Sequence, residues 1–106
     1  MQKKNRNEIQ QRIIKDLLDI QLLRMVKAQP TWGYQIKKKV EKNFDVKLRH
    51  GALYPTLNDL EKKGFLISQR QQKEGRARKV YSLTEEGKDY LEAYFSVLSQ
   101  QLEKEK

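Results

Sequence analysis

A chain of 106 residues with 37% hydrophobic and 35% charged side chains is expected to form one small domain that gains from burial against a second copy. Its net charge of +9 favours a polyanionic partner: DNA, RNA or an acidic membrane surface. The absence of cysteine and the presence of one histidine, His50, exclude disulfides and thiol chemistry and argue against zinc.

Residues 1–7 are polar and expected to fray. Residues 8–28 read as one helix. Ile9, Ile13, Leu17 and Ile20 form one stripe, and Ile14, Leu18, Leu22 and Met25 a second beside it. That arc is wider than one small core needs. Either the helix is buried all round within the monomer, or one side faces the core and the other a second subunit. Gln29-Pro30 ends it. Thr31 is expected to cap a second helix over residues 32–43, with Trp32, Ile36 and Val40 inward and Tyr34, Lys37, Lys38, Lys39 and Lys42 on a basic outer side. Trp32, the single tryptophan, is a core plug or a surface on which a ligand stacks.

Residues 48–84 organise the chain. A third helix is expected over 50–63, with Leu53, Leu57 and Leu60 inward, Pro55 awkwardly placed for a regular helix, and Gly64 as the stop. Arg49, His50, Tyr54, Thr56, Asn58 and Asp59 fall at or near its outer side. An apolar strand at 65–69 leads to a polar loop over 70–78, longer than a tight turn, and a return strand at 79–83. Thr84 caps a last helix, with Glu85 and Glu86 in its first turn. Leu91, Phe95, Leu98 and Leu102 form one stripe, with Tyr90, Tyr94 and Val97 alongside. The expected fold is therefore mainly α with a small β-hairpin, ordered as a winged helix-turn-helix. Residues 8–83 would form the DNA-binding part, followed by a separate C-terminal helix over 84–104.

Catalytic motifs are missing. No phosphate-binding glycine loop occurs, and no serine is tied to a histidine. No enzyme activity, cofactor or metal is expected. No apolar run reaches the roughly 18 residues of a membrane span. The basic N-terminus lacks a signal-peptide core, so a cytoplasmic protein is expected. Arg70, Lys73, Arg76, Arg78 and Lys79 cluster in the hairpin, opposed by Glu74. Such a cluster supplies phosphate contacts and counterion release. Groups at positions 49, 50, 54, 56 and 58 can hydrogen-bond base edges or phosphates. Double-stranded DNA is thus the expected partner. A largely non-specific architectural DNA coater and a protein-docking module are the competing readings.

The chain resembles the PadR family of winged-helix regulators. The likeness is carried by Trp32-Gly33-Tyr34-Gln35-Ile36, by Gly51-Ala52-Leu53-Tyr54-Pro55-Thr56-Leu57, by Leu60-Glu61-Lys62-Lys63-Gly64-Phe65-Leu66, and by the run from Gly75-Arg76-Ala77-Arg78 through Tyr81-Ser82-Leu83-Thr84 to Gly87. It implies a DNA-binding homodimer built from the first and last helices, here with Ile13, Leu17, Leu91, Tyr94, Phe95 and Leu98 as interface candidates. It also implies repression of genes, with release by a small aromatic ligand; Trp32, Tyr90, Tyr94 and Phe95 are the candidate contacts. The single terminal helix is similar to the short subclass. Four positions depart from the family pattern. Trp32 stands where histidine is common, Arg49-His50 replace Ser-Pro, and Ala77 replaces the wing proline.

Overall fold

A computed structural model describes residues 3–104, with the side chains of Lys73 and Lys104 excluded. The order is α1 (Lys3–Asp16), α2 (Leu18–Ala28), β1 (Thr31–Trp32), α3 (Gly33–Phe44), α4 (His50–Lys62), β2 (Leu66–Lys73), β3 (Arg76–Leu83) and α5 (Glu85–Lys104). The protein is mostly helical, with a three-stranded antiparallel sheet in the order β1-β3-β2.

The first expected helix is two helices. The chain bends at Leu17 (φ −115°, ψ 39°), and the Asp19 carboxylate accepts a hydrogen bond from the Ile20 amide at 2.8 Å. No proline or glycine marks the bend. Burial explains its use. Leu18, Ile20, Gln21, Leu22, Leu23 and Val26 are all buried in α2, whereas α1 buries Ile14 and leaves Ile9 and Ile13 exposed. The wide apolar arc therefore divides: its α2 half packs into the core, and its α1 half leaves Ile9 and Ile13 at the surface. Residues 3–7, expected to fray, are the start of α1; Met1 and Gln2 lie outside the described residues.

Thr31 does not cap α3. It is extended, pairs with Tyr81 across the sheet, and its hydroxyl donates to the Gln35 side chain. The residue before the helix is Trp32, which has no capping side-chain bond. Long-range pairing with β3 thus overrides the local capping preference. Gly33 begins α3 because the Tyr54 ring lies against it; a Cβ there would meet Tyr54 Cε1 at 2.6 Å. At the far end Asp45 takes a left-handed conformation (φ 52°) and turns the chain toward α4.

Leu53, Leu57 and Leu60 of α4 are fully buried, as their spacing predicts. Helix α4 continues through Pro55. Gly64 is left-handed (φ 83°) and ends the helix region. Thr84 caps α5 as expected: its hydroxyl accepts from the Gly87 amide at 3.0 Å and donates to the Gly64 carbonyl at 2.6 Å. Gly87 is required there, since a Cβ would sit 2.2 Å from the Phe65 carbonyl oxygen. Phe65 stacks on Tyr90 with centroids 4.5 Å apart. Leu91 is buried in the same core as α2, α3 and α4. It anchors α5 to its own protomer, which removes it from the candidate dimer contacts.

Candidate nucleic-acid interface

The basic hairpin is longer and more regular than its composition suggests. Strands β2 and β3 pair continuously from Leu66↔Leu83 to Lys73↔Arg76. The expected nine-residue loop is in fact a two-residue turn, Glu74-Gly75, with both φ values positive (54° and 76°). That combination is the mirror-image turn that matches strand twist. Eight residues per strand give a ribbon of about 27 Å. Its outer half exposes both faces, so no alternation of apolar and polar residues announces it.

The register sorts the cations. Arg76, Arg78 and Val80 alternate onto one face of β3, and Ala77, Lys79 and Tyr81 onto the other. Lys79 is held at the base: its ammonium lies 3.1 Å from Glu61 Oε1 on α4 and 5.6 Å from the Tyr81 ring centroid. Glu61 also accepts from Ser68 Oγ on β2 at 2.5 Å. One carboxylate therefore ties both wing strands to α4. The Ser68 hydrogen bond, followed by the hydrogen bond and charge of Lys79, holds the Glu61 carboxyl below the usual carboxylate range. Reciprocally, the hydrogen bond to Glu61 pushes the Lys79 ammonium up. So Lys79, a sequence candidate for DNA contact, is first a structural latch. Arg70 and Arg76 are exposed along the ribbon. The Lys73 side chain lies outside the described part, although the pairing Lys73↔Arg76 sets two cationic residues opposite each other at the tip.

Arg78 behaves differently. It is half-buried, with its guanidinium carbon 4.7 Å from the Trp32 ring centroid. Together with Gly33, Tyr34, Tyr54, Arg76, Ala77 and Lys79 they line a cleft of about 570 Å³ between the wing and the first turns of α3 and α4. The cleft joins the two halves of the interface. Sequence reasoning misses Gly33 and Tyr34 as parts of the cleft, and Glu61 as the tie between wing and α4. The Trp-Gly-Tyr run is the one available signal.

The outer side of α4 presents Arg49, His50 and Asn58, all exposed, with Thr56 and Tyr54 partly buried. His50 meets Tyr54 edge-on at 5.2 Å. Thr56 Oγ1 donates to the Ala52 carbonyl at 2.7 Å, so its lone pairs and methyl remain for an external partner. Asp59 is paired with Lys63 at 3.0 Å, and the hydrogen bond to Asp59 raises the Lys63 ammonium. Arg49 precedes α4 without a capping side-chain bond.

Residues 22–93 match the profile of the "Transcriptional regulator PadR-like family". The chain belongs to this family. A PadR family transcription regulator from Clostridium difficile is 32% identical over 79% of this chain and 96% of its own, with a TM-score of 0.65. Bacillus subtilis PadR, solved in complex with operator DNA, is 24% identical and shares the fold (TM-score 0.68) over 74% of this chain and 47% of its own. The transcriptional regulator Rv3488 of Mycobacterium tuberculosis is 50% identical over 38 residues, which is 36% of each chain. The chain thus matches only about a third of that curated relative's length.

Within the PadR-like fold, the remaining sequence candidates separate. Trp32 lines the wing cleft, whereas Tyr90 and Tyr94 line a shallow groove of about 360 Å³ on α5 with Ala93, Val97, Leu98 and Gln101. Within one protomer Trp32 therefore lies apart from Tyr90 and Tyr94. Phe95 is 41% exposed, with the Arg24 guanidinium 5.9 Å from its centroid. Ile13 is exposed and Leu17 half-buried, beside Ile9 on a separate face of α1. Among the described residues no helix is long and apolar enough to cross a membrane, and no group of three metal-ligating side chains occurs.

Proposed function

We propose that this PadR-like regulator is a dimeric, sequence-specific DNA-binding repressor. Helix α4 enters the major groove, and the wing grips the flanking backbone. The observation that carries the reading is the latch at Glu61, which sets the α4 outer side and the arginine-bearing ribbon in one rigid frame. Arg49 at the α4 N-terminus then meets a phosphate, which relieves the clash between its charge and the positive helix end. Asn58 offers an amide for a bidentate contact to adenine. Thr56, already donating within the helix, accepts from a base amino group or packs its methyl on thymine. Bacillus subtilis PadR, which shares the fold, was solved in complex with operator DNA, and this supports DNA as the partner.

Residues 8–83 form the DNA-binding part and 84–104 the dimerisation helix. The exposed apolar side chains Ile9, Ile13, Phe95, Val97 and Leu102 lie on α1 and α5. Their burial between two protomers would add Leu17, Tyr94 and Leu98 to the interface. Two-fold symmetry then calls for a pseudo-palindromic operator with half-sites about one helical turn, or a multiple, apart. A small aromatic effector seated by Tyr90, Tyr94 or Phe95 would act at that interface and shift the half-site spacing.

The test is the salt dependence of DNA binding. Replacing Arg76 and Arg78 by alanine weakens binding to every sequence, and flattens the plot of log affinity against log salt by about 0.9 for each phosphate left without its arginine. Unchanged affinity and slope would remove the wing from the interface.

A further inference from the structure

We propose that Trp32 is a positioning residue for DNA binding: its ring holds the Arg78 guanidinium in the wing cleft as a preset phosphate donor. The inference rests on the DNA-binding reading above and deepens it.

The pair is built by the sheet. Trp32 lies opposite Val80, which puts it diagonally beside Arg78 on the same face. The resulting contact sets the guanidinium carbon 4.7 Å from the ring centroid, within cation–π range. A guanidinium can meet a ring with its flat face while its N–H donors, which lie in the plane and project from the edge, stay available to two phosphate oxygens. Lysine has no such division between face and edge.

The surroundings suit an anion. Three cations line the cleft and, among the described residues, no carboxylate does. One of the three, Lys79, is already paired with Glu61. The incoming charge therefore falls to Arg76 and Arg78. They differ in preparation: Arg76 is exposed and Arg78 half-buried. An exposed arginine gives up rotamer freedom when it binds phosphate. Arg78 has given up part of it before DNA arrives, which is preorganisation of a donor already present. The Tyr34 and Tyr54 walls complete a seat for one backbone phosphate and its sugar.

The test compares full-length Trp32→Leu, Trp32→Phe, Arg78→Ala, Arg78→Lys and the Trp32→Leu/Arg78→Ala double variant by affinity for one duplex, with thermal midpoints recorded. Trp32→Leu is expected to weaken binding about 3- to 10-fold, Trp32→Phe to recover most of that loss, and Arg78→Lys to behave like Arg78→Ala. The double variant should bind within about 2-fold of Arg78→Ala, because Trp32 acts through Arg78. The tryptophan emission should shift in Arg78→Ala, and in the wild type on adding DNA. Additive losses, or Trp32→Leu binding as the wild type does, overturn the proposal. Should Trp32→Leu prove unfolded, the Trp32→Phe comparison and the emission of Arg78→Ala decide it. A wild type that binds no duplex at low salt sinks the DNA reading itself, a separate outcome from additivity.

Discussion

Replacing Glu61 tests the frame that joins wing to α4. In Glu61→Ala the wing loses two ties at once: the Ser68 hydroxyl at 2.5 Å and the Lys79 ammonium at 3.1 Å. The Lys79 and Glu61 side chains are 47% and 30% exposed, so water screens the ion pair and it contributes about 0.2–1 kcal/mol. A hydrogen bond to a charged group adds about 1.5 kcal/mol at the low end of its range, less with this exposure. The sum is about 1–2 kcal/mol. For a domain near this size each kcal/mol corresponds to about 4–8 °C in Tm. Glu61→Gln, which keeps a neutral acceptor for Ser68, should lose less. The pH dependence gives the sign. The Glu61 carboxyl is held low in the folded protein, first by Ser68 and then by Lys79. Its contribution is therefore complete above the unfolded carboxyl value of about 4.3 and disappears as pH falls through the lower folded value. Lys79 is raised by its hydrogen bond to Glu61, so its contribution is complete below the unfolded value of about 10.4 and is lost only above it. Thermal unfolding followed by circular dichroism, at fixed protein concentration, should show a constant gap between wild type and Glu61→Gln from pH 7 to about 5. The gap should close in stronger acid. Equal midpoints at pH 7, or a gap unchanged in strong acid, would refute the latch.

Two glycines should respond in opposite directions to alanine. Gly87→Ala drives a Cβ toward the Phe65 carbonyl oxygen at 2.2 Å and should cost about 1–3 kcal/mol or more in thermal stability. Gly51→Ala, with nothing within 4 Å of the new Cβ, should instead stabilise α4 by about 0.4–1 kcal/mol. Leu98→Glu, on the α5 groove, should yield monomers in sedimentation measurements, whereas Leu91→Ala should cost about 2–5 kcal/mol because it empties the protomer's own core. An unchanged oligomer in Leu98→Glu would move the interface elsewhere.

Where local chemistry settles structure, the sequence is informative. Thr84 has both the capping side chain and the exposed helix start it needs, and the four-residue spacing of Leu53 and Leu57 admits only one face of α4. Where distant parts decide, it is not. Thr31-Trp32 looks like a helix start until β3 is known to lie beside it. The wing strands carry arginine, lysine and glutamine on both faces, because much of the ribbon exposes both sides to solvent. Periodicity cannot reveal a strand of that kind. Leu91 and Leu98 share one stripe in sequence, yet only the first reaches the core, because α5 runs past the body of the domain. The candidates Arg49, His50 and Asn58 lie exposed at the outer side of α4, where their spacing puts them. Lys79 is instead tied to Glu61, 18 residues away in the chain.

Competition between a selected duplex and random-sequence DNA tests the central claim most directly. Sites would be selected with the purified protein from random DNA, then titrated at physiological salt. A regulator that reads bases through α4 should prefer its selected, two-fold symmetric site by on the order of 10³ or more. Equal affinity for both duplexes would contradict the account and leave a non-specific DNA coater in its place.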